Sequence, residues 1–407
     1  MKRIVVLGGG LAGLATAHFF SQQAHVTLVE KTARLGGWVH SIHQNNYLFE
    51  CGPRGFRPIG KGLKTLALAK KLGLEPIAAS HTSKVRYLLK NGRLQPVNLR
   101  FLLRHGLLQG CVRDLFNRPS FQEDETLEMF FNRHLGAHFT KTFVDPLTRG
   151  IFAGNYQHLS ARSCCPQLWQ MDQLFGSLLL GRFKKKSSSK PCASLLSFSD
   201  GMETLVQRLA QSPIEIRLNS AVLALEAHHV HLEKETLKAD MIISALPAHA
   251  LCPLLGLKDP HLYATISTVN FGWDQPVLPK RGYGFLVPSY EPAPIMGMTW
   301  DSEIFPQQMG LTRTCTMIAG SLPEKELIAH ARQAMQHFCQ VDQEPQVTYV
   351  ATAHQAIAQY GLGHHAWLRT LSQHLPKNMY ALGSSLTGVG INDCICAASD
   401  LYESLYS

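Results

Sequence analysis

The apolar positions of this chain fall into a few sharply bounded blocks. The first, "IVVL" (Ile4 to Leu7), is unbroken and stops at Gly8, Gly9 and Gly10. A short apolar run of this kind predicts a strand buried on both faces, and the glycines that end it predict a tight turn. The segment from Leu11 reads as a helix, and "HVTLVE" as a second strand ending on Glu30. Two later stretches repeat such elements. "GMETLVQRLAQSPIEIRLNSAVLALEAHHVHLEKETLKADMIISALP" predicts a helix and a β-meander closing on the buried strand "MIISALP". "NMYALGSSLTGVGINDCICAASDLYESL" predicts a strand from Met379, a glycine-rich turn from Gly383 to Gly390 and an amphipathic helix beginning near Asn392.

Between these blocks the pattern changes. Residues 89–190 read as helical: "RFLLRHGLLQGCVRDLF" mixes Leu and Phe with Arg, and "DQLFGSLLLGRFKKK" runs into the basic, solvated loop Lys184 to Lys190. That mixture suits an anionic membrane face. No segment approaches the roughly 18 unbroken apolar residues of a spanning helix. "LFGSLLLG" is too short, and "MIISALPAHALCPLLGL" carries two prolines and a histidine. Membrane contact is therefore expected to be peripheral. Residues 247–346 show the short strands of a further sheet. The expected architecture is α/β: a Rossmann-like cofactor domain assembled discontinuously from residues 1–57, 194–246 and 349–407, a mixed-sheet substrate domain from 58–88 and 247–346, and the helical membrane-contact insertion 89–190.

Composition narrows the partners. At 407 residues and 45% hydrophobic the chain can bury a substantial core in each of about two or three domains. Its formal charge of +10 fits an anionic membrane or an acidic small ligand. No Lys/Arg block is interleaved with aromatics, which argues against nucleic acid. The ten cysteines are scattered, and neither Cys164–Cys165 nor Cys394–Cys396 has the two-residue gap of zinc and redox sites, so they read as reduced and cytosolic. His228 to His231 reads as an exposed hairpin, and no metal is expected.

The first block carries chemistry. Gly8 permits a sharp turn, Gly10 lets backbone amides approach a pyrophosphate, and Gly13 lets the helix pack on the strand. With Gly9, Leu11 and Ala12 these residues form the helix N-terminus that favours phosphate, and Glu30 is placed to accept a ribose hydroxyl. The pattern predicts a dinucleotide without distinguishing nicotinamide from flavin.

The residues that follow, "EKTARLGG", resemble flavoproteins of the amine oxidase and phytoene desaturase superfamily. That resemblance implies FAD, with Arg34 reaching its adenosine half, Gly37 and Trp38 against the cofactor, Val222 on the strand beside the adenine, and Ser384, Val389, Gly390 and Ile391 near the flavin ring. A narrower resemblance rests on "GGWVHS", "FECGPRGFRP", "RGIFAGN", "LSARSCCPQL", "GYGFLVP" and "GINDCI". Together they resemble the flavin-dependent, oxygen-using protoporphyrinogen oxidase family. In that family Gly52, Pro53, Arg54 and Gly55 would line the flavin. Arg100 would be the cation facing the substrate pocket, and Tyr283, Leu286 and Met317 would sandwich the substrate ring. Tyr283 stands where the animal enzymes carry phenylalanine. Asp145 is the nearest thing to a placed carboxylate and reads as structural.

The implied reaction is the oxidation of protoporphyrinogen IX to protoporphyrin IX in haem biosynthesis, with oxygen as acceptor and hydrogen peroxide as by-product. No paired-carboxylate or Ser/His/Asp array is evident, so no catalytic acid or base is assigned. Coproporphyrinogen III oxidation, another amine- or carotenoid-type oxidoreduction, and a flavin-bearing partner protein without turnover remain alternatives. The resemblance further implies a cytoplasmic protein on the inner membrane face, and admits ferrochelatase and a second copy of the chain as partners.

Overall fold

The computed structural model describes residues 1–119, 122–184 and 194–406. The loop expected from Lys184 to Lys190 thus lies outside the described residues, Lys184 excepted. One layer is a five-stranded parallel sheet ordered Met379–Ala381, Met241–Ser244, Lys2–Leu7, Ala24–Val29, Glu215–Arg217. Its central strand explains the unbroken apolar run. Ile4 and Val6 face the helices Leu11–Phe20, Glu203–Ala210 and Ile391–Tyr406, whereas Val5 and Leu7 face Val230, Leu232 and Leu251 on the other side. A strand covered on both faces needs apolar residues at every position.

The second layer is a seven-stranded mixed sheet ordered Val347–Gln359, Leu262–Trp273, Thr312–Ala319, Gly297–Thr299, Gly284–Leu286, Tyr87–Lys90, Arg93–Pro96. Val269, Phe271, Trp273 and Ile318 back it against Leu327, Ala331 and Ala334 of the helix Glu324–Ala334. Its other face is turned toward Arg54 and carries the candidate substrate side chains.

Three boundaries differ from the sequence reading. Residues 87–96 pair as a hairpin, so helical structure begins at Leu99, where Asn98 Oδ1 accepts the Phe101 N–H (2.9 Å), rather than near residue 89. Strand 347–359 pairs with Leu262–Trp273 and belongs to the mixed sheet, not to the cofactor-binding pieces. Helix Gly62–Lys71 packs Leu68 and Ala69 into the core of the parallel layer rather than into the substrate layer. The hairpin closes locally, with Asn91 and Gly92 both at positive φ in its turn, whereas the other two outcomes depend on partners far away in the chain, which local pattern does not encode.

The helical segment from Leu99 to Lys184 has an apolar centre of Leu127, Phe130, Tyr156 and Trp169, and a buried ionic one beside it. His134 lies between two carboxylates: Nδ1 is 2.5 Å from Asp114 Oδ1 and Nε2 is 3.2 Å from Asp172 Oδ1. Asp114 also accepts Ser177 Oγ–H (2.6 Å) and the Leu178 and Leu179 N–H groups, holding the start of the next helix. Burial disfavours the charged ring, but its hydrogen bonds to Asp114 and Asp172 outweigh that and raise the His134 pKa. Burial likewise opposes ionisation of the two carboxylates, and their hydrogen bonds with His134 prevail, bringing each to about 2.

The signs give a pH profile. The His134 contribution is complete below its ordinary value of 6.5 and is lost as pH rises through the raised value. The contributions of Asp114 and Asp172 are present above the ordinary 3.8 and are lost as pH falls toward 2. Urea unfolding should therefore be hardest between these limits, and His134→Gln should flatten the alkaline decline and shrink the acid one, part of which remains because Asp114 keeps Ser177 and Leu179 and Asp172 keeps Arg133. An unchanged alkaline limb in His134→Gln would exclude this assignment.

Candidate cofactor and substrate site

The turn after the first strand is shaped by backbone contact. Gly8 has φ +97°, and a Cβ at Gly13 would lie 1.9 Å from Gly8 O, so no side chain fits where helix and turn cross. At Gly10 a Cβ would meet nothing within 4 Å. The helix Leu11–Phe20 has Gly10 as its N-cap and no side-chain cap, leaving its first amides to whatever occupies that space. An open cradle at an uncapped helix start fits a pyrophosphate. Glu30 Oε2 accepts the Gly9 N–H (2.8 Å) and Oε1 accepts the Thr32 N–H and hydroxyl (2.9 and 2.8 Å), so this carboxylate also holds the turn in shape.

The Gly36–Gly37 loop lies against this turn. Gly36 N–H donates to Gly9 O (2.8 Å), and a Cβ at Gly37 would sit 3.3 Å from Gly10 Cα. Arg34, expected to reach the adenosine half of the cofactor, lies beside this loop. Its guanidinium donates to Leu35 O (2.8 Å), Val39 O (3.1 Å) and Gly37 O, bracing the loop it belongs to. Trp38 is exposed next to it.

The "GPRG" segment follows a different logic from the one expected of a bare cofactor lining. A Cβ at Gly52 would lie 1.8 Å from Trp38 O and one at Gly55 2.3 Å from Leu196 O, so both glycines are required by neighbouring backbone. Pro53 lies between Gly52 and Arg54. Arg54 Nε donates to Asp301 Oδ1 (2.8 Å), and Asp301 also accepts Thr299 Oγ–H (2.7 Å). Burial disfavours the Arg54 charge, but Asp301 outweighs it and the guanidinium pKa is raised. Its Nη2 is buried without a hydrogen-bond partner among the described residues. Such a donor costs free energy unless a ligand oxygen meets it.

The C-terminal loop ends at the buried Ile391, which starts the helix Ile391–Tyr406. Val389 and Gly390 are half-buried, and the Gly390 N–H makes a long 3.3 Å bond to Asp393 Oδ2. Ser384 offers its carbonyl to the Tyr360 hydroxyl. Val222 is half-buried on the strand Val222–Glu226, packed beside Val230 and Leu232.

On the mixed sheet, register brings two of the expected substrate residues into one row. Leu286 is paired with Gly297, Gly297 with Met317, Met317 with Thr268, and Thr268 with Ala351. Leu286 and Met317 therefore share a face two strands, roughly 10 Å, apart. Residue 297 between them has no side chain, and a Cβ there would lie 2.6 Å from Phe285 O. The result is an apolar shelf in which the Leu286 side chain itself leans over residue 297, 3.2 Å from where a Cβ would stand. Helix Asp145–Phe152 closes over its end, since a Cβ at Gly150 would lie 2.6 Å from Leu286 Cδ2. Buried Asp145 accepts the Ser289 N–H (2.6 Å) and Arg149 donates to Val287 O (3.0 Å), anchoring that helix to the sheet, so Asp145 is structural as expected.

Tyr283 is half-buried at the end of the same sheet, its ring 5.1 Å from the Arg86 guanidinium. Arg100 is exposed on the helix Leu99–Arg104, next to Phe101, which packs with Leu88, Phe143 and Leu286. Sequence reasoning missed Asp301, Gly297 and Gly150. None carries a local signal, because each acts on a residue remote in the chain. Among the described residues no cysteine is disulfide-bonded, and no group of three or more His, Cys, Asp or Glu side chains is placed to hold a metal ion.

A glycine cradle for a dinucleotide on a parallel sheet, joined to a second, mixed sheet, fits a dinucleotide-dependent oxidoreductase of the two-layer kind. The chain belongs to the flavin-containing amine oxidoreductase family, whose model matches residues 11–399. It is 34% identical to protoporphyrinogen oxidase of Bos taurus, over 97% of this chain and 96% of that one. It is 26% identical to coproporphyrinogen III oxidase of Bacillus subtilis, over 100% and 99% respectively. Among solved structures, one from Exiguobacterium assigned as a protoporphyrinogen oxidase superposes with a TM-score of 0.84 at 24% identity, covering 99% of this chain and 98% of its own. Reduced UDP-galactopyranose mutase superposes with a TM-score of 0.73 at 13% identity, covering 100% and 94%. The two structures share the fold and no more, so the fold alone does not choose the reaction. The protein is an FAD-dependent oxidoreductase.

Proposed function

We propose that this enzyme oxidises a porphyrinogen to a porphyrin in haem synthesis, with protoporphyrinogen IX as substrate and coproporphyrinogen III as the alternative. The observation that carries this reading is the row of Leu286 and Met317 on one face of the mixed sheet, aligned across a side-chain-free Gly297. A large apolar ring needs such a wall, and the family membership supplies the chemistry. FAD, which the glycine turn Gly8–Gly13 would hold, would supply two-electron oxidation of a ring or bridge carbon, with oxygen as the final acceptor. Conversion of a porphyrinogen to a porphyrin removes six hydrogens, so three rounds consume three oxygens and release three peroxides. The chain's own residues would position the reactants: the shelf would hold the ring, the buried Arg54 keeps one donor without a protein partner, and the helix 145–152 closes over the end of the shelf at Leu286. Aerobic turnover on each porphyrinogen, read by porphyrin fluorescence with oxygen uptake, tests the reading. Three oxygens per porphyrin support it. Absence of porphyrin from both substrates refutes it.

The parallel layer, with its glycine turn, is read as the Rossmann-like FAD domain, and the helical segment as the membrane contact on the cytoplasmic face. Among the described residues no helix is long and apolar enough to cross a membrane. Leu99, Leu103, Leu108, Val112, Phe116 and Phe183 are exposed, interspersed with Arg100, Arg104 and Arg113. Exposed apolar groups beside cations suit a peripheral contact with anionic lipid. Binding to vesicles containing phosphatidylserine should weaken as salt rises, since charges are screened beyond about 8 Å at physiological ionic strength. Equal binding to neutral vesicles would contradict it. Phe116→Ser combined with Leu108→Ser should weaken binding without loss of turnover on soluble substrate.

A further inference from the structure

Behind the C-terminal glycine loop lies a chain of hydrogen-bonded rings that the reaction above does not use. The loop from Gly383 to Gly390 stands next to the cofactor cradle: a Cβ at Gly8 would lie 3.2 Å from Ala245 O, and one at Gly383 3.5 Å from the same oxygen. Both turns follow strands that pair in parallel with Met241–Ser244, at the carboxyl ends where such sheets take their ligands. Three side chains grip the loop. The Tyr360 hydroxyl donates to Ser384 O and accepts the Gly388 N–H. The Tyr263 hydroxyl is hydrogen-bonded to Ser385. The His364 ring, stacked on Tyr360 at 4.3 Å, donates to the Leu386 backbone carbonyl. A carbonyl drawn one way turns the amide of the same peptide plane the other way, so these contacts fix the direction of the loop's peptides.

Counting protons then singles out His261. Its Nδ1 is 2.6 Å from Asp259 Oδ1 and its Nε2 is 2.8 Å from His364 Nδ1. Three hydrogen bonds thus run between two terminal acceptors, the Asp259 carboxylate and Leu386 O, and each needs its own N–H. Two neutral imidazoles carry one N–H apiece, so the chain holds one proton more than two neutral rings supply. Asp259 is a poor carrier for it, because this carboxylate also accepts the His261 backbone N–H (3.0 Å) and the Tyr263 hydroxyl (2.6 Å), which favour its ionised form. His364 is a poor carrier too, since burial and then the charges of His261 and His365 push its pKa down to about 3. The other titratable groups packed around the pair are Tyr263, Tyr360, Cys252, His249 and His365, and burial holds each of them toward its neutral form. That leaves the His261 ring, whose side chain is 2% exposed against Asp259.

We propose that Asp259, His261 and His364 form a positioning relay: His261 is held as an imidazolium by the ionised Asp259, donates to His364, and through His364 fixes the loop Gly383–Gly390, so that this proton sets how strongly the site prefers reduced over oxidised FAD. The proposal rests on FAD in the Gly8–Gly13 cradle and not on the choice of substrate. Release of the proton to solvent leaves an uncompensated carboxylate behind the loop and one link in which two lone pairs face each other. Both changes disfavour an electron-rich ring beside the loop. The preference for reduced FAD is therefore complete while the relay is protonated and falls as pH rises.

The test compares the reduction potential of the FAD-loaded enzyme with that of free FAD, by equilibration with a redox dye and without porphyrinogen, from about pH 6 to about pH 9, the range that brackets histidine titration. By linkage the difference between the two potentials gives the ratio of affinities for reduced and oxidised FAD. In the parent enzyme that ratio should fall about 10-fold across the range, within the usual span of site-to-site coupling. For a two-electron couple this is about 30 mV. His261→Gln should abolish the fall and hold the ratio near the parent's alkaline value throughout. Asp259→Asn should move the fall to lower pH, since the counter-charge that retains the proton is gone. A parent ratio independent of pH overturns the proposal, as does a fall that survives unchanged in His261→Gln, which would make the ring a structural support alone. Should His261→Gln come off colourless, the parent profile and Asp259→Asn carry the same decision. Porphyrin formation by the parent enzyme is measured separately, so failure of the relay and failure of the reaction assignment are told apart.

Discussion

Gly10→Val should yield a folded, colourless protein. The two ends of the glycine turn make opposite demands, and the structure separates them. A side chain at Gly10 projects into space where no protein atom lies within 4 Å, and its φ of −69° is open to any L-residue. Valine there costs the apo-protein little, yet it fills the cradle in front of the uncapped amides of the helix Leu11–Phe20. Displacing a pyrophosphate loses two or more charge-assisted hydrogen bonds, about 3–6 kcal/mol, or roughly a 10²- to 10⁴-fold weakening of FAD. Gly13→Ala is the contrasting case, since its Cβ would lie 1.9 Å from Gly8 O and must displace backbone. It should lower the unfolding midpoint of the apo-protein as well as abolish flavin. Visible absorbance and apo-protein urea curves check the pair. A yellow, fully flavinated Gly10→Val would show that the cofactor phosphates lie elsewhere.

The second large effect belongs to Arg54 and Asp301, whose side chains are only 12% and 6% exposed. Removing one partner of a buried ion pair strands the other charge, at a cost of roughly 3–5 kcal/mol. Asp301→Ala should therefore destabilise strongly, since Arg54 is left without its one acidic partner and its Nη2 already lacks a protein acceptor. Arg54→Met should cost less in the background of Asp301→Ala than alone, because no charge is then left unpaired. Urea unfolding of the two single variants and the double variant measures the coupling. Strictly additive losses would mean that the pair is not what holds the mixed sheet to the "GPRG" segment.

What could be read from sequence follows the range of the interactions involved. The strand, turn and helix from Lys2 to Phe20 were legible because every determinant lies within twenty residues: an apolar run, glycines at fixed spacing and an apolar helix. The terminal helix was legible too, its start at Ile391 falling one residue from the expected position. Strand 347–359 was misplaced because its partner, Leu262–Trp273, is some eighty residues away and nothing in "VTYVATAHQAIAQ" names it. Arg34 was chosen by resemblance, and its hydrogen bonds to Leu35 O, Val39 O and Gly37 O add a role in bracing the loop that the sequence did not show. Leu286 and Met317 were chosen by resemblance, and the register through Gly297 supplies the physical reason they act together.

The central claim is that this FAD-dependent enzyme oxidises a porphyrinogen. Anaerobic stopped-flow mixing of the FAD-loaded enzyme with protoporphyrinogen IX and, separately, with coproporphyrinogen III measures this most directly. Bleaching of the oxidised flavin band should follow the concentration of at least one porphyrinogen, and admitting oxygen should restore the band with porphyrin fluorescence rising. A flavin that stays oxidised with both substrates would contradict the account, whatever the protein binds.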